Sequence, residues 1–126
     1  MSDLLGQLGR AMTGRTGVPV TLAVEDEWQL PPSVQVAFYR IAQEALSNAS
    51  KHARANRVEV RFDCAPGQAT LSVRDDGQGF DLEDTPPGHF GIGIMRERAT
   101  SIGARIEIES EPGEGTRVTA VWTTDD

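Results

Sequence analysis

A periodic pattern of apolar residues between positions 34 and 53 constrains the fold of this chain more than any other feature. Apolar side chains recur there at every third or fourth position, which is typical of a long amphipathic helix. The stripe consists of Val34, Ala37, Phe38, Ile41, Ala45 and Ala49. Ser33 directly precedes it and is predicted to cap the first turn. Such a stripe has to be buried, so a second layer of structure must cover it.

Five shorter segments alternate apolar and polar side chains, which predicts β-strands. They are residues 18–24, 57–64, 69–75, 105–110 and 116–122. Pro19 marks the first as an edge strand or as the start of a strand, since proline cannot donate to a sheet ladder. The second and third strands flank a turn and are predicted to form a hairpin.

Two further helices complete the pattern. A leading helix is predicted over residues 3–12, with Gly14 and Gly17 closing it, and another over residues 94–102, with Gly103 as its cap. Helices in one layer can cover one face of an alternating sheet. We therefore predict an α+β fold: a two-layer α/β sandwich whose mixed, mostly antiparallel sheet is covered by helices on one face.

The length and charge of the chain limit the classes of function that it can have. Its 126 residues suit a single domain, of which residues 1–17 are the leading helix and connection. A formal net charge of -7 argues against a nucleic-acid partner. No apolar run approaches the ~20 residues that cross a bilayer, and the first residues do not resemble a secretory signal. A lone cysteine, Cys64, fits a cytoplasmic setting.

Polar residues follow one margin of the long helix. Glu44, Asn48 and Lys51 lie at i, i+4 and i+7, so a carboxylate, an amide and an ammonium point the same way. This arrangement could present ligands to a hydrated cation and its phosphates, or it could be an amphipathic boundary where charged side chains reach solvent. His52 falls on the apolar stripe itself, where a buried structural histidine and a ligand contact both fit.

Two polar residues are in phase with the buried side of the predicted strands. Asp75 follows the phase of its apolar neighbours, and Thr116 does the same on the last strand. A buried carboxylate needs hydrogen-bond donors, which a turn amide or the amino group of a flat ring could supply. Gly77 and Gly79 follow Asp75 and allow the backbone to turn sharply there.

A second group of glycines lies before the third helix. Gly88, Gly91 and Gly93 would leave free amide groups at a helix start, which is where anions bind. The chain contains no G-x-x-x-x-G-K-[ST] phosphate loop, and the glycines after Asp75 lack the third glycine of a dinucleotide fingerprint.

Taken in order, these features resemble the nucleotide-binding fold shared by histidine kinases, gyrase, the heat-shock chaperone ATPases and MutL, known as the Bergerat-type fold. The residues 40–53, RIAQEALSNASKHA, look like the N box of the kinase subfamily that contains nitrate sensors and the membrane-fluidity sensor. The residues 75–80, DDGQGF, resemble the first glycine box, residues 88–99 the second, and residues 113–116 the last. The resemblance covers residues 18–122.

The resemblance implies a role for each of the unusual residues. Asn48 would hold Mg²⁺, Glu44 would polarise or position a group near the γ-phosphate, and Lys51 would contact phosphate. Asp75 would accept a hydrogen bond from the adenine amino group with help from Thr116. The remaining residues expected to bind or surround ATP are His52, Gly77, Gly79, Gly91 and Gly93. Residues 78–93 would form a lid over the nucleotide.

Two departures from the family pattern concern the lid and the residue after Asp75. Asp76 stands where asparagine is common, and Gly93 and Ile94 replace a more usual arginine- or asparagine-containing sequence. Arg96 is therefore only a candidate for a basic residue that reaches the phosphates.

The resemblance implies an enzyme, the ATP-binding catalytic domain of a protein histidine kinase in two-component signalling. Related kinases carry the accepting histidine on a dimerising helical hairpin, whereas His52 and His89 of this chain lie in the N box and the lid. We expect this domain to bind Mg-ATP, to need a separate dimerisation and acceptor domain as partner, and to act on a response regulator indirectly. Without that partner domain no autophosphorylation is expected. The setting would be cytoplasmic, including the cytoplasmic part of a membrane-bound sensor.

Two other functions fit the same fold. One is a serine-directed anti-sigma-factor kinase. The sequences of the N box and of residues 95–98 argue against it. The other is a non-catalytic module gated by ATP, against which the presence of both Glu44 and Asn48 argues.

Overall fold

The structure is a computed structural model that describes residues 1–25, 30–51, 54–81 and 91–124. The helices are α1 (Ser2–Thr16), α2 (Pro32–Lys51) and α3 (Ile92–Ser101), and the strands are β1 (Val20–Glu25), β2 (Val58–Ala65), β3 (Gln68–Asp75), β4 (Arg105–Ser110) and β5 (Thr116–Thr123). None of the helices in these ranges has both the length and the apolar character that a membrane span needs.

The strands form one five-stranded sheet in the order β1-β2-β3-β5-β4. β1 runs parallel to β2, and every other neighbouring pair is antiparallel. The predicted mixed, mostly antiparallel sheet is thus confirmed. β1 lies at an edge, and Pro19 precedes it with its carbonyl oxygen accepting a hydrogen bond from the Val58 amide at 2.9 Å. The prediction from Pro19 is confirmed as well.

The core lies between the sheet and the helices. Alternate residues of β2 and β3 are buried, which leaves the opposite face of both strands largely exposed. From the helix side, the apolar stripe of α2 is buried against them. Phe38 of α2 meets Phe62 of β2 edge to face, with ring centroids 6.2 Å apart. The two-layer sandwich predicted from the patterns is the observed fold.

The start of α2 differs from the prediction. Pro32 is the first helical residue, and the amides of Val34 and Gln35 both donate to the carbonyl oxygen of Pro31. Ser33 therefore lies inside the first turn, and its predicted role as the cap is wrong. Proline suits the first helical position because the amide hydrogen that it lacks would have no partner within the helix.

α1 is longer than predicted. It continues through Gly14 to Thr16 and ends at Gly17, which is in the left-handed region at φ 75° and donates to the carbonyl oxygen of Thr13. Gly9 brings the helix close to β1, since a Cβ there would lie 3.0 Å from Cγ1 of Val20. The packing of α1 over β1 supplies contacts that outweigh the low helix propensity of its glycines.

α3 begins two residues earlier than predicted, at Ile92, and its buried residues are Met95 and Ala99. Gly103 follows the helix in the left-handed region, at φ 68°. Because α3 starts at Ile92, Gly91 is the residue immediately before the helix.

Candidate nucleotide site

The residues predicted to hold a nucleotide base meet at one end of the sheet. β3 ends at Asp75 and β5 begins at Thr116, and these two residues are direct partners in the antiparallel pair. β4 ends at Ser110, which is the partner of Thr116 on its other side. Side chains of such partners on one face lie about 5 Å apart at their Cβ atoms.

Asp75 is buried, with 7% of its surface exposed, and it is the one buried charged residue within the described ranges. The prediction that it faces the core is confirmed. Its Oδ1 accepts a hydrogen bond from the Gly77 amide at 2.9 Å, and the backbone amide of Thr116 also bonds to the carboxylate. Burial raises the pKa of Asp75 because desolvation outweighs these two hydrogen bonds. A carboxylate can accept about four hydrogen bonds, so capacity remains for a ligand donor.

Thr116 supports Asp75 through its backbone, whereas its hydroxyl binds elsewhere. The side chain is half-buried and in phase with buried Val118 and Ala120, as predicted. Its Oγ1 lies 2.8 Å from Oγ of Ser110. Ser110 was not among the predicted site residues, although its phase with the half-buried Ile106 and Ile108 marks it as an inward-facing hydroxyl.

The first glycine box is held against the turn that joins β4 to β5. Gly77 is buried beside Asp75, and the carbonyl oxygen of Gln78 accepts a hydrogen bond from the Gly113 amide at 2.6 Å. Gly79 is left-handed at φ 64°, and a Cβ on it would overlap the carbonyl oxygen of Glu111. A glycine is therefore required at position 79, because a side chain would be both strained and obstructed.

Glu44 of α2 contacts the residue before α3. Gly91 is left-handed at φ 61°, and a Cβ on it would overlap Oε2 of Glu44. Glu44 is half-buried at this contact. The structure thus brings together Glu44 of the N box and Gly91 of the second glycine box.

The structure describes some of the other residues that are predicted to lie near the phosphates. Asn48 is half-buried one turn after Glu44, and Lys51 is exposed at the last residue of α2. Glu44 and Lys51 also line a groove of about 390 Å³ between α1 and α2. His52 lies outside the described residues, as do residues 82–90 of the predicted lid.

The far end of the predicted lid lies within α3. Gly93 is exposed in the first turn, and a Cβ on it would have no atom within 4 Å. The described residues therefore give no packing reason for glycine at position 93. Arg96 is exposed one turn further along the same helix.

Asp76 has a structural contact that the sequence did not reveal. Its Oδ1 accepts hydrogen bonds from the amides of Asn56 and Arg57, at 2.8 and 3.0 Å. These two bonds lower the pKa of Asp76. The carboxylate thereby fastens the connection after α2 to the end of β3.

An open cleft of about 520 Å³ adjoins this end of the sheet. It is lined by Arg74, Asp75, Glu109, Ser110, Glu111, Glu114, Gly115, Thr116 and Arg117. Some of these residues project from the exposed face of the sheet and others from the helix side, so the cleft reaches around the strand ends. Asp75, the buried acceptor, is one of the residues that line it.

The oxygen groups of Glu44 and Asn48 suit a hard cation such as Mg²⁺. No cluster of three His, Cys, Asp or Glu side chains suited to a metal occurs in the described parts of the chain. Mg²⁺ commonly takes one or two protein ligands and completes its coordination with water and phosphate oxygens. A half-buried amide beside a half-buried carboxylate fits that mode of binding.

An open sheet with helices on one face, a buried carboxylate at a strand end and a glycine turn after it are the features expected of the ATP-binding α/β sandwich that the motifs resemble. Residues 33–125 match the family described as histidine kinase-, DNA gyrase B- and HSP90-like ATPases, and the chain belongs to this family. The resemblance read from the sequence is confirmed.

The relatives found by sequence are sensor kinases. The chain is 34% identical over 90 residues to the histidine-protein kinase/phosphatase DegS of Brevibacillus brevis. The matched region covers 71% of this chain and 23% of DegS. The chain is 34% identical over 100 residues to the sensor histidine kinase LiaS of Bacillus subtilis, covering 75% of this chain and 28% of LiaS. The chain thus spans about a quarter of the length of these curated relatives.

Among solved structures, the chain is similar to a blue-light-activated histidine kinase of Erythrobacter litoralis. The TM-score is 0.78 at 25% identity, over 97% of this chain and 41% of the kinase chain. The fold is that of a histidine kinase catalytic domain, which is the ATP-binding enzymatic module of these proteins.

Proposed function

We propose that this chain binds Mg-ATP and supplies the catalytic half for phosphorylating a histidine on a separate dimerisation and acceptor domain in two-component signalling. The observation that carries the proposal is the contact of Glu44 with Gly91. It sets a carboxylate of the long helix against Gly91, the residue before α3, and the start of a helix offers backbone amides to a phosphate chain. In this role the domain would lie in the cytoplasm and reach a response regulator only through the acceptor domain.

At the base end of the nucleotide, Asp75 would accept a hydrogen bond from the adenine amino group. The amides of Gly77 and Thr116 hold the carboxylate in place. Burial in a site of low polarity strengthens such a bond. Gly79 packs so closely on the β4–β5 turn that no side chain fits at position 79.

At the phosphate end, Asn48 would hold Mg²⁺, which when bound neutralises phosphate charge. Glu44 would orient the group that reacts at the γ-phosphate. Lys51 is exposed and free to extend toward phosphate, and His52 is assigned to the same ATP-binding set by the family pattern. Gly91 and Gly93 would shape the far side of the lid.

The acceptor has to come from another domain. The two histidines of this chain lie in the N box and in the predicted lid. The sequence relatives named above are sensor histidine kinases, which supports a histidine acceptor over the serine acceptor of the anti-sigma-factor kinases. A purely ATP-gated module would keep the binding residues but transfer no phosphate.

A transfer experiment tests the proposal. The purified domain is mixed with Mg²⁺, ATP labelled at the γ-phosphate, and separately made histidine-bearing hairpins from two of the sensor kinase relatives. We expect label on a hairpin that is lost in acid and kept in alkali, as for phosphohistidine, and none with the Glu44→Gln domain. Label that resists acid would indicate a serine kinase. ATP binding without transfer to either hairpin would favour the non-catalytic module, and absence of ATP binding would refute all three functions.

A further inference from the structure

The first strand, β1, presents one edge of its backbone to solvent. β1 is the outer strand of the described sheet, and its partner there is β2. The carbonyl oxygen of Pro19 accepts from the Val58 amide, so alternate residues from position 19 onward point their backbone groups toward β2. The amides and carbonyls of Val20, Leu22 and Val24 therefore point away from the sheet. These three residues offer six hydrogen-bonding groups to another strand, and Leu22 is at their centre.

The two edges of the described sheet differ in charge. β4, at the other edge, places Arg105, Glu107 and Glu109 on its exposed face, and charged side chains are a common protection against unwanted strand pairing. β1 carries no charged side chain from position 20 to position 24. Leu22, at the middle of β1, has 37% of its surface exposed. β1 is therefore the edge that another strand can join.

An apolar groove of about 460 Å³ runs beside this edge, between α1 and β1. Its lining residues are Leu5, Gly6, Gly9, Arg10, Thr13, Gly14, Val20 and Leu22. A Cβ on Gly9 would lie 3.0 Å from Cγ1 of Val20, which places that turn of the helix against the start of the strand. The short connection of residues 17–19 makes α1 and β1 run in opposite directions. Since four helical residues and two strand residues each span about 6 Å, Leu5 and Gly6 lie beside Leu22.

Two residues of opposite charge lie on the groove side of α1. Arg10 lines the groove and reaches back over Gly6, because a Cβ on Gly6 would lie 3.1 Å from Nη1 of Arg10. Asp3 is exposed and precedes Arg10 by about two helical turns, so it projects from the same side of the helix. The midpoint between the two charges lies next to Gly6, beside Leu22. Opposite charges placed evenly about one centre complement an inverted copy of the same surface.

We propose that β1 is a self-association edge, where a second copy of this domain adds its own β1 in antiparallel orientation about a two-fold axis at Leu22. In this register Leu22 pairs with Leu22 of the second copy, and Val20 pairs with Val24 of the second copy. All six outward backbone groups of each strand then have partners. A shift of one residue would turn the apolar side chains to the exposed face, which fixes the register.

The same axis brings the two α1 helices side by side. Asp3 of each copy then meets Arg10 of the other, and Gly6 and Gly9 leave room for the approach. β2 separates β1 from the strands that carry Asp75 and Thr116. The association therefore uses none of the residues assigned to ATP and is independent of the proposed function.

Sedimentation equilibrium over a range of protein concentrations tests the association. The mass of the parent should rise with concentration from 13.6 kDa toward twice that value. Leu22→Asp should raise the dissociation constant of the dimer roughly a hundredfold, because two carboxylates would meet on the axis. Thr123→Asp adds the same charge at an exposed position of β5 and should associate like the parent. A parent that stays at 13.6 kDa up to its highest soluble concentration would overturn the proposal.

Charge reversal on α1 tests the geometry without altering the strand. Asp3→Arg and Arg10→Asp should each raise the dissociation constant roughly three- to tenfold, since either change affects both symmetric contacts. A mixture of the two variants should regain association, because each copy then supplies the charge that the other lacks. Both residues are exposed, so the fold of each variant is expected to remain intact. Variants that associate no better when mixed than alone would overturn the two-fold arrangement.

Hydrogen exchange reads the register directly. The amides of Val20, Leu22 and Val24 should be protected at high protein concentration and exchange rapidly at low concentration. The amides of residues 21, 23 and 25 should be protected at both concentrations, because they bond to β2. A dimer without this alternation has another interface and would overturn the proposal.

Cross-linking gives a second measure of the same contact. Leu22→Cys should cross-link to itself with a short bis-maleimide, since the two thiols would face each other across the axis. Glu107→Cys, at the middle of the other edge strand, is the matched control and should not cross-link. The natural Cys64 is buried and does not compete for the reagent. Equal cross-linking of the two variants would show random collision and would overturn the proposal.

Discussion

The carboxylate of Glu44 lies against the α-carbon of Gly91, so closely that a methyl group on Gly91 would overlap Oε2. This contact joins the polar margin of α2 to the residue before α3. Gly91 is also in the left-handed region, at φ 61°, which disfavours any residue with a side chain. The backbone conformation at position 91 thus favours glycine, and a methyl group there would in addition push aside the flexible carboxylate of Glu44, the residue assigned to the γ-phosphate.

We predict that Gly91→Ala reduces stability by about 1–3 kcal/mol, because alanine is strained in the left-handed region, and that it weakens ATP binding, because the methyl group displaces the carboxylate of Glu44. Gly93→Ala is the matched control for stability, since its Cβ would meet no atom and α3 is helical there. It should be neutral or stabilising by up to about 1 kcal/mol. Urea unfolding and nucleotide titration measure both effects. Equal stability of the two variants would contradict the strain at position 91, and an unchanged ATP affinity of Gly91→Ala would contradict the role of the contact with Glu44.

The sequence predicted the fold because its patterns repeat over whole elements. The stripe of α2 and the alternation of β2 and β3 depend on many side chains, so a single exception does not obscure them. Element ends depend on one or two residues, so the repeating pattern does not define them. Ser33 has the chemistry of a cap, yet Pro32 begins the helix because the carbonyl of Pro31 can accept its first two amides.

The site was predicted in part for the same reason. Asp75 stands out in the sequence because it is charged, yet it occupies a position of its strand where the alternating pattern predicts a buried apolar residue. Ser110 and Asp76 do not stand out, since serine at a strand end and aspartate in a turn are ordinary. Their roles come from partners distant in sequence, Phe80 for Ser110 and Asn56 for Asp76. Such pairings follow from tertiary structure and leave no periodic signal.

Asn48→Ala is expected to weaken ATP binding strongly in the presence of Mg²⁺, by about 1.5–3 kcal/mol if the amide is a cation ligand. In the presence of a chelator, the variant and the parent should differ little. Ser47→Ala is the matched control, since Ser47 is its half-buried neighbour on the side of the α1–α2 groove. Calorimetry with and without Mg²⁺ measures the difference. Equal affinities of Asn48→Ala and parent for Mg-ATP would remove Asn48 from its assigned role.

Asp75→Asn should cost about 2–4 kcal/mol in ATP binding, since a donor replaces the acceptor that the adenine amino group needs. GTP should bind poorly to the parent for the same reason, because its carbonyl oxygen would face a carboxylate. Competition between ATP and GTP measures this preference. Binding of GTP on even terms with ATP would refute base recognition by Asp75.

The raised pKa of Asp75 adds a pH dependence with a definite sign. ATP affinity should fall as the pH falls through this pKa, which lies above the usual 3.8, because the protonated carboxyl loses acceptor capacity. The effect of Asp75 on the free energy of unfolding has the opposite dependence on pH. The stability that the protonated carboxyl contributes is complete below pH 3.8 and is lost as the pH rises through the folded-state pKa. The ratio of parent to Asp75→Asn affinity cancels the titration of ATP itself. A ratio that is constant with pH would contradict the assignment.

Asp76→Ala should lower the urea midpoint at neutral pH, because the amides of Asn56 and Arg57 lose their acceptor. Asp76→Asn should keep most of the stability, since its side-chain oxygen can still accept. The pKa of Asp76 is lowered, so its contribution is present above pH 3.8 and is lost as the pH falls through the folded-state value. The ion pair with Arg57 is largely exposed and should add little, so Arg57→Gln is the control. A midpoint equally low in Asp76→Asn would show that charge, rather than these hydrogen bonds, matters.

The last prediction is that residues 78–90 form a lid that becomes ordered when nucleotide binds. Its sequence contains Glu83, Asp84, Pro86, Pro87 and Gly88, with few apolar side chains to anchor it. The glycines on either side permit the backbone changes of a hinge. Acidic residues should also repel bare triphosphate, so closure is expected to need Mg²⁺.

The structure indicates which backbone amides of the lid should change their protection from hydrogen exchange. The start of the predicted lid is already fastened, through the Gln78 carbonyl to Gly113 and the Phe80 amide to Ser110. Hydrogen exchange should therefore find the Phe80 amide protected with and without ATP, whereas amides of residues 82–90 gain protection only with Mg-ATP. The buried part of α2 serves as an internal reference in both states. Strong and equal protection of residues 82–90 in both states would show a rigid loop, and ATP binding would then have to proceed without closure.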